Sequence, residues 1–183
     1  TIGIFNLFSM NLFLELRESD LWIGKAENFE ISYQLRKASR ALVFNSENKI
    51  ALMHVTKDNY HKLPGWGMNP GETIEENLVR EIREEVGADI MILDEIGITI
   101  EYRNSANLLQ ISYCYLAKVF WELYEPSLDE QEKDRGFEVL WVSLDEAIER
   151  IENDHPNQIH RNFVQARDLG ILEEWRRILE NVS

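Results

Sequence analysis

The spacing of hydrophobic positions changes along the chain, and each change marks an element. "SRALVFN" and "KIALMHV" are short β-branched and apolar runs separated by the polar turn Asn45 to Asn48, the pattern of a β-hairpin. Leu78, Val79, Ile82 and Val86 then recur at helical spacing. Thr73 and Glu76 form the S/T-x-x-E start signal, and Gly87 is placed as a left-handed stop, which predicts a helix over 73–86. "DIMILDEIGITIEYR", "LLQISYCYLAKVFWELY" and "GFEVLWVSL" return to partial alternation rich in β-branched and aromatic residues and read as strands of one sheet. Ser143 and Glu146 repeat the capping spacing for a helix to about Asn153, and residues 157–181 supply a last helical region. The charged segment "YEPSLDEQEKDRG" is poor in apolar residues and reads as a loop. The order is mixed, which predicts an α/β fold. We expect one domain over 1–183, with an N-terminal strand or extension over 1–35, a core over 36–152 and a helical region over 153–183. The apolar "TIGIFNLFSMNLFLEL" reads as an edge strand or a cloning extension, being too short and too polar to span a bilayer.

Composition adds limits. The 183 residues are 44% hydrophobic and 10% aromatic, enough for a core without staples. The one cysteine, Cys114, excludes an internal disulfide, and its apolar strand setting reads as a buried, inert thiol in a reducing, cytoplasmic compartment. A net charge of −14 disfavours long nucleic acids, whose binding needs clustered Lys and Arg, yet is compatible with a small polyanion held through divalent metal. No membrane partner is expected; a homodimer is left open.

The candidate chemistry lies at "LPGWGMNPGE" and the helix after it. At about 100° per residue, Glu81, Glu84 and Glu85 share one arc of the helix beside the buried stripe. Such a cluster alone reads as a solvated, salt-bridged face, with Arg80 and Arg83 as compensating cations. The preceding glycine-rich turn changes that reading. Its backbone N–H groups and the helix start can meet phosphate, its carbonyls can ligate a hard cation, and carboxylates one and two turns on complete an all-oxygen site suited to Mg²⁺.

Arg36, Lys37 and Arg40 lie on the strand entering the fold, where they can contact substrate phosphates or form a solvated strand end. Histidines 54, 61, 155 and 160 lack metal-motif spacing and read as surface or satisfied residues. Trp121, Trp141, Trp175 and the tyrosines of "YCY" read as core or interface.

Residues 66–88 resemble the box G-x5-E-x7-R-E-U-x-E-E-x-G-U of the Nudix hydrolases, U being a bulky aliphatic. Glu72, Arg80, Glu81, Ile82, Glu84, Glu85 and Gly87 match without a gap, while Ala88 is smaller than usual and Trp66 stands where the first glycine belongs. With the strand pair before the box and "WVSLDEA" after it, the likeness covers roughly 36–152. It implies an α/β/α sandwich around a mixed sheet, and hydrolysis of a nucleoside diphosphate linked to another moiety with Mg²⁺ or Mn²⁺. By position, Glu81, Glu84 and Glu85 would be metal carboxylates, the carbonyl of Gly65 or Trp66 a further ligand, and Glu72 with Arg80 a structural pair. A further glutamate acts as base or ligand in many such enzymes, and here Glu130 and Glu132 are candidates, beside their reading as solvated loop charges. Tyr102 and Arg103 fall where some subgroups place specificity residues. A non-catalytic nucleotide sensor on the same fold is the alternative. At Trp66 we expect a negative φ, with the strained turns left to Gly65, Gly67 and Gly71, and an indole packed on the box helix in preference to one standing at the pocket mouth.

Overall fold

The computed structural model describes residues 10–21, 31–120 and 123–182. Residues 1–9 and Trp121, on which sequence expectations fall, lie outside them. The strands are β1 (Leu12–Arg17), β2 (Gln34–Phe44), β3 (Ile50–Val55), β4 (Tyr60–Lys62), β5 (Ile90–Arg103), β6 (Leu108–Val119) and β7 (Phe137–Val142). The helices are α1 (Ile74–Glu85), α2 (Glu130–Arg135), α3 (Leu144–Glu152) and α4 (Ile159–Val182). Among the described residues the strands form one mixed sheet in the order β1-β5-β6-β2-β3-β4, with β7 on β3. The described part of the apolar N-terminal run forms β1, an edge strand, and the structure adds that it pairs parallel to β5.

Period-2 alternation sorts the two faces of β2. Ala41 and Val43 pack with Leu78 and Ile82 of α1 and with Val86 at its end on one side, and Leu42 packs with Ile148 and Ile151 of α3 and Ile171 and Leu172 of α4 on the other. The sheet is thus sandwiched between helices. No described helix is long and apolar enough to cross a membrane.

One irregularity positions the site. β2 and β3 pair only at Phe44 and Ile50, then diverge. The glycine-rich loop fills the gap by running back along β2: Ser39 N–H donates to the Trp66 carbonyl at 3.1 Å, Ala41 N–H to that of Pro64 at 3.3 Å, and Met68 N–H to that of Lys37 at 3.0 Å. Gly65, at φ +120°, has no room for a side chain, since a Cβ there would lie 2.2 Å from the Ser39 carbonyl oxygen.

The helix expected over 73–86 forms with both halves of its capping box, and Gly87 takes φ +69° just past its end. The expected loop over 124–136 is corrected in part, because Glu130–Arg135 is helical. Asp129 caps α2, accepting from Glu132 N–H at 2.8 Å, while the Glu132 carboxylate accepts from Asp129 N–H at 2.8 Å. Cys114 is fully buried, and burial pushes its thiol up to about 12. Trp141, Trp175 and Tyr115 belong to the core.

Candidate functional site

α1 enters from the loop, and its first turns lock the loop down. Arg80 Nε donates to Glu72 Oε1 at 2.6 Å and Nη2 to Oε2 at 3.1 Å, while Glu72 also accepts from Asn69 N–H at 2.8 Å. Arg80 holds the Glu72 carboxyl down at about 2. Asn77, unremarked in the sequence, is fully buried and bridges both sides: it accepts from the Ser39 hydroxyl at 2.6 Å and donates to the Gly67 carbonyl at 3.1 Å.

The three box carboxylates have different surroundings. Glu81 and Glu85 are 4% and 1% exposed, whereas Glu84 stands half out at the rim, its side chain 41% exposed. Arg80 Nη1 pairs with Glu81 at 2.7 Å and Glu84 at 2.8 Å. Glu85 pairs with the buried Lys62 at 2.5 Å and accepts from Gly65 N–H at 2.7 Å. Burial, and then the neighbouring Glu85, pushes the Glu81 carboxyl up to about 7.

Glu81 and Glu84 face a cleft of about 390 Å³ together with Trp66, Arg80, Arg135 and Glu132. Glu132 therefore reaches the site, and burial raises its carboxyl. Glu130 does not line the cleft and is exposed. Trp66 has an ordinary φ, and Gly65 and Gly71 take positive φ as expected, but Gly67 does not. The indole is 45% exposed, which corrects the expectation that it packs on the helix; it stands at the cleft edge, with Lys62 Nζ at 5.2 Å and Arg36 Cζ at 5.5 Å from its ring.

Arg40 is no solvated strand end, being 2% exposed. Tyr102 does not reach the cleft: its hydroxyl donates to Glu15 at 3.1 Å and its ring lies under Arg17. His155 and His160 are exposed, as expected, whereas His54 and His61 stack at 4.6 Å; His61 Nδ1 meets Asp154 at 2.9 Å, and the Nε2 of each stacked ring is buried without a partner. Sequence reasoning missed Lys62 and Arg135. The signal for Lys62 was alternation, which puts it on the buried face with Tyr60.

The donor set is carboxylate and carbonyl oxygen, and two carboxylates buried side by side fit a hard divalent cation. Among the described residues no three acidic, imidazole or thiol groups converge on one point, because Glu84 and Glu85 are turned to Arg80 and Lys62.

A family profile of the NUDIX domain matches residues 34–164. The chain belongs to the Nudix hydrolase family. Among solved structures it resembles a Nudix hydrolase from Nitrosomonas europaea (17% identity, TM-score 0.56, covering 73% of this chain and 89% of that one). An ADP-ribose pyrophosphatase from Streptococcus suis aligns at 20% identity and TM-score 0.51, over 78% and 92%. The Ap4A hydrolase of C. elegans aligns at 15% and 0.53, over 80% and 99%. At these identities the likeness to solved structures is one of fold. No curated protein sequence matches the chain.

Proposed function

We propose that this Nudix chain, folded as one domain over 1–183, hydrolyses the diphosphate linkage of a small nucleotide in the cytoplasm, with Mg²⁺ as cofactor and Mn²⁺ as substitute. One observation carries the reading: Glu81, buried beside Glu85, lines a cleft that Glu84 and Glu132 also line. Glu81, Glu84 and Glu85 would hold the ion with the Gly65 carbonyl; that of Trp66 already accepts from Ser39 N–H and is the weaker donor. When bound, the ion neutralises phosphate oxygens and lowers the pKa of water. Glu132 is the better base, because it lines the cleft and its raised proton affinity suits taking a proton from the attacking water. Arg135 can meet a phosphate oxygen from the same wall, and the exposed indole of Trp66 can stack on a ring of the substrate.

The S. suis and C. elegans neighbours bear the names of two different nucleotide hydrolases, so the substrate is sought with a panel. It comprises dNTPs, oxidised dNTPs, ADP-ribose, nucleotide sugars and dinucleoside polyphosphates, each with Mg²⁺ and with Mn²⁺, read by product identification. The alternative, a non-catalytic nucleotide sensor, is favoured by the engagement of all three carboxylates with Arg80 and Lys62. Nucleotide binding without turnover across the panel would select the sensor.

A further inference from the structure

Beside the cleft lies a second, narrow cavity of about 50 Å³, lined by Arg36, Arg40, Lys62, Arg103, Arg135 and Arg167, with the exposed His160 at its edge. In an acidic chain, six cationic side chains meet at this one place. Four of them have carboxylate partners: Lys62 pairs with Glu85, Arg103 with Glu101, Arg135 with Asp58, and Arg167 with Glu101 and Asp168. Arg36 and Arg40 have none among the described residues. Arg36 Nε donates to the Gln110 amide oxygen at 2.8 Å, and Arg40 Nη1 donates to the Ser39 carbonyl at 2.6 Å. The Arg40 Nε has no acceptor at all, although the side chain is buried. Burial, and then repulsion from Arg167, brings the Arg40 guanidinium down to about 10. Asp168, Glu101 and Glu85 offset that charge only through space, and a buried cation with no carboxylate in contact is costly, so the arrangement asks for an anion.

Charge and size narrow its chemistry. Two guanidiniums with no carboxylate in direct contact match one dianion, and planar forks of N–H donors match phosphoryl oxygens. A water needs about 10–15 Å³ of such space, so this narrow cavity has the size for a few waters or one tetrahedral oxyanion. Cleft and cavity share Trp66 and Arg135 as lining residues, so a substrate lying at the carboxylates can reach the cavity past the indole.

We propose that this cavity is a subsite for a phosphoryl dianion carried by the substrate, which makes the substrate class a nucleoside diphosphate joined to a moiety that bears its own phosphate. The word substrate rests on the hydrolytic reading above, whereas occupancy by a phosphoryl group does not.

Inorganic phosphate titrated into the full chain in EDTA, at constant ionic strength, tests occupancy through tryptophan fluorescence and thermal melting. Wild type is expected to bind saturably and to melt higher with phosphate, since a ligand held only by the native state stabilises it. Arg40→Met is expected to lose both responses while melting no lower than wild type in phosphate-free buffer, because an apolar chain replaces an unpaired buried charge. Arg40→Lys, which keeps charge but not the fork, is expected to bind at least about tenfold more weakly. Non-saturable binding by wild type, unchanged binding in Arg40→Met, or a lower phosphate-free melting temperature in that variant overturns the subsite. Hydrolysis of a nucleoside diphosphate sugar, with and without a phosphate on the distal sugar, then tests the source. The phosphorylated compound is expected to have a KM lower by about tenfold or more, a difference that collapses in Arg40→Met. Phosphate binding with equal KM for the two compounds overturns the substrate assignment in favour of a free-phosphate site. Phosphate binding without turnover of either compound supports the subsite and counts against hydrolysis.

Discussion

At the scale of single residues, burial decides what a substitution tests. Glu85→Gln looks from the sequence like a clean loss of one ligand charge. In the structure its partner Lys62 is 2% exposed, so the variant leaves a buried ammonium without a counter-charge. Breaking such a pair costs about 3–5 kcal/mol. We therefore expect Glu85→Gln to lose hydrolysis and also to melt well below wild type, and Lys62→Met in the same chain to restore melting but not turnover. Near-normal turnover of Glu85→Gln at saturating Mg²⁺ would remove Glu85 from the ligand set. Glu132 and Glu130 separate more simply, because only Glu132 faces the cleft. Glu132→Gln is expected to lower kcat by roughly 10²-fold and to remove a limb of the pH profile, with Glu130→Gln close to wild type. Equal, small effects in the two variants would return both to solvated surface charges.

At the scale of elements, the loop and α1 act as one unit because Glu72, Arg80 and Asn77 tie them together. The Glu72 carboxyl sits at about 2 in the fold against an ordinary 4.5, with the Arg80 hydrogen bond as the chief cause. A value depressed by folding stabilises fully above the unfolded value and fades as pH falls toward the folded one. The melting temperature of the metal-free protein should thus fall more steeply between about pH 5 and 3 in wild type than in Glu72→Gln. Parallel curves would show that the pair adds nothing to the docking of loop on helix. The elements themselves were largely legible, because their signals are local: the Thr73–Glu76 cap, the stop at Gly87 and the turn at Asn45 to Asn48 each lie within a few residues. α2 was not, because six charged and polar residues carry no apolar stripe; only the Asp129–Glu132 spacing marked it. The box carboxylates were legible for the same local reason. The arginine cavity was hidden, since its residues come from β2, β4, β5, α4 and the end of α2 and meet only in the tertiary fold. A trace remained in α4, where Arg167 and Asp168 interrupt the buried stripe of Phe163, Val164, Ile171 and Leu172.

At the scale of the whole molecule, the formal charge of −14 and the buried cations oppose each other. An approaching nucleotide first meets the field of the acidic surface, which reaches about 30 Å at 0.01 M salt but only about 8 Å at 0.15 M. Arg40, Lys62 and Arg167 act afterwards, at contact, where low exposure shields them from salt. Encounter and binding should therefore respond to salt in different ways. For a substrate that turns over, kcat/KM is expected to rise as NaCl goes from about 0.01 to 0.15 M, because screening relieves long-range repulsion, while kcat stays constant. A protein that grips a nucleic-acid polymer loses affinity steeply over the same range as counter-ions are released. Initial rates at low substrate, with Mg²⁺ saturating throughout, distinguish the two. A fall in kcat/KM with salt would mean that the cationic groups reach into solution and govern encounter, and long single-stranded DNA or RNA would then return as a candidate partner despite the acidic chain.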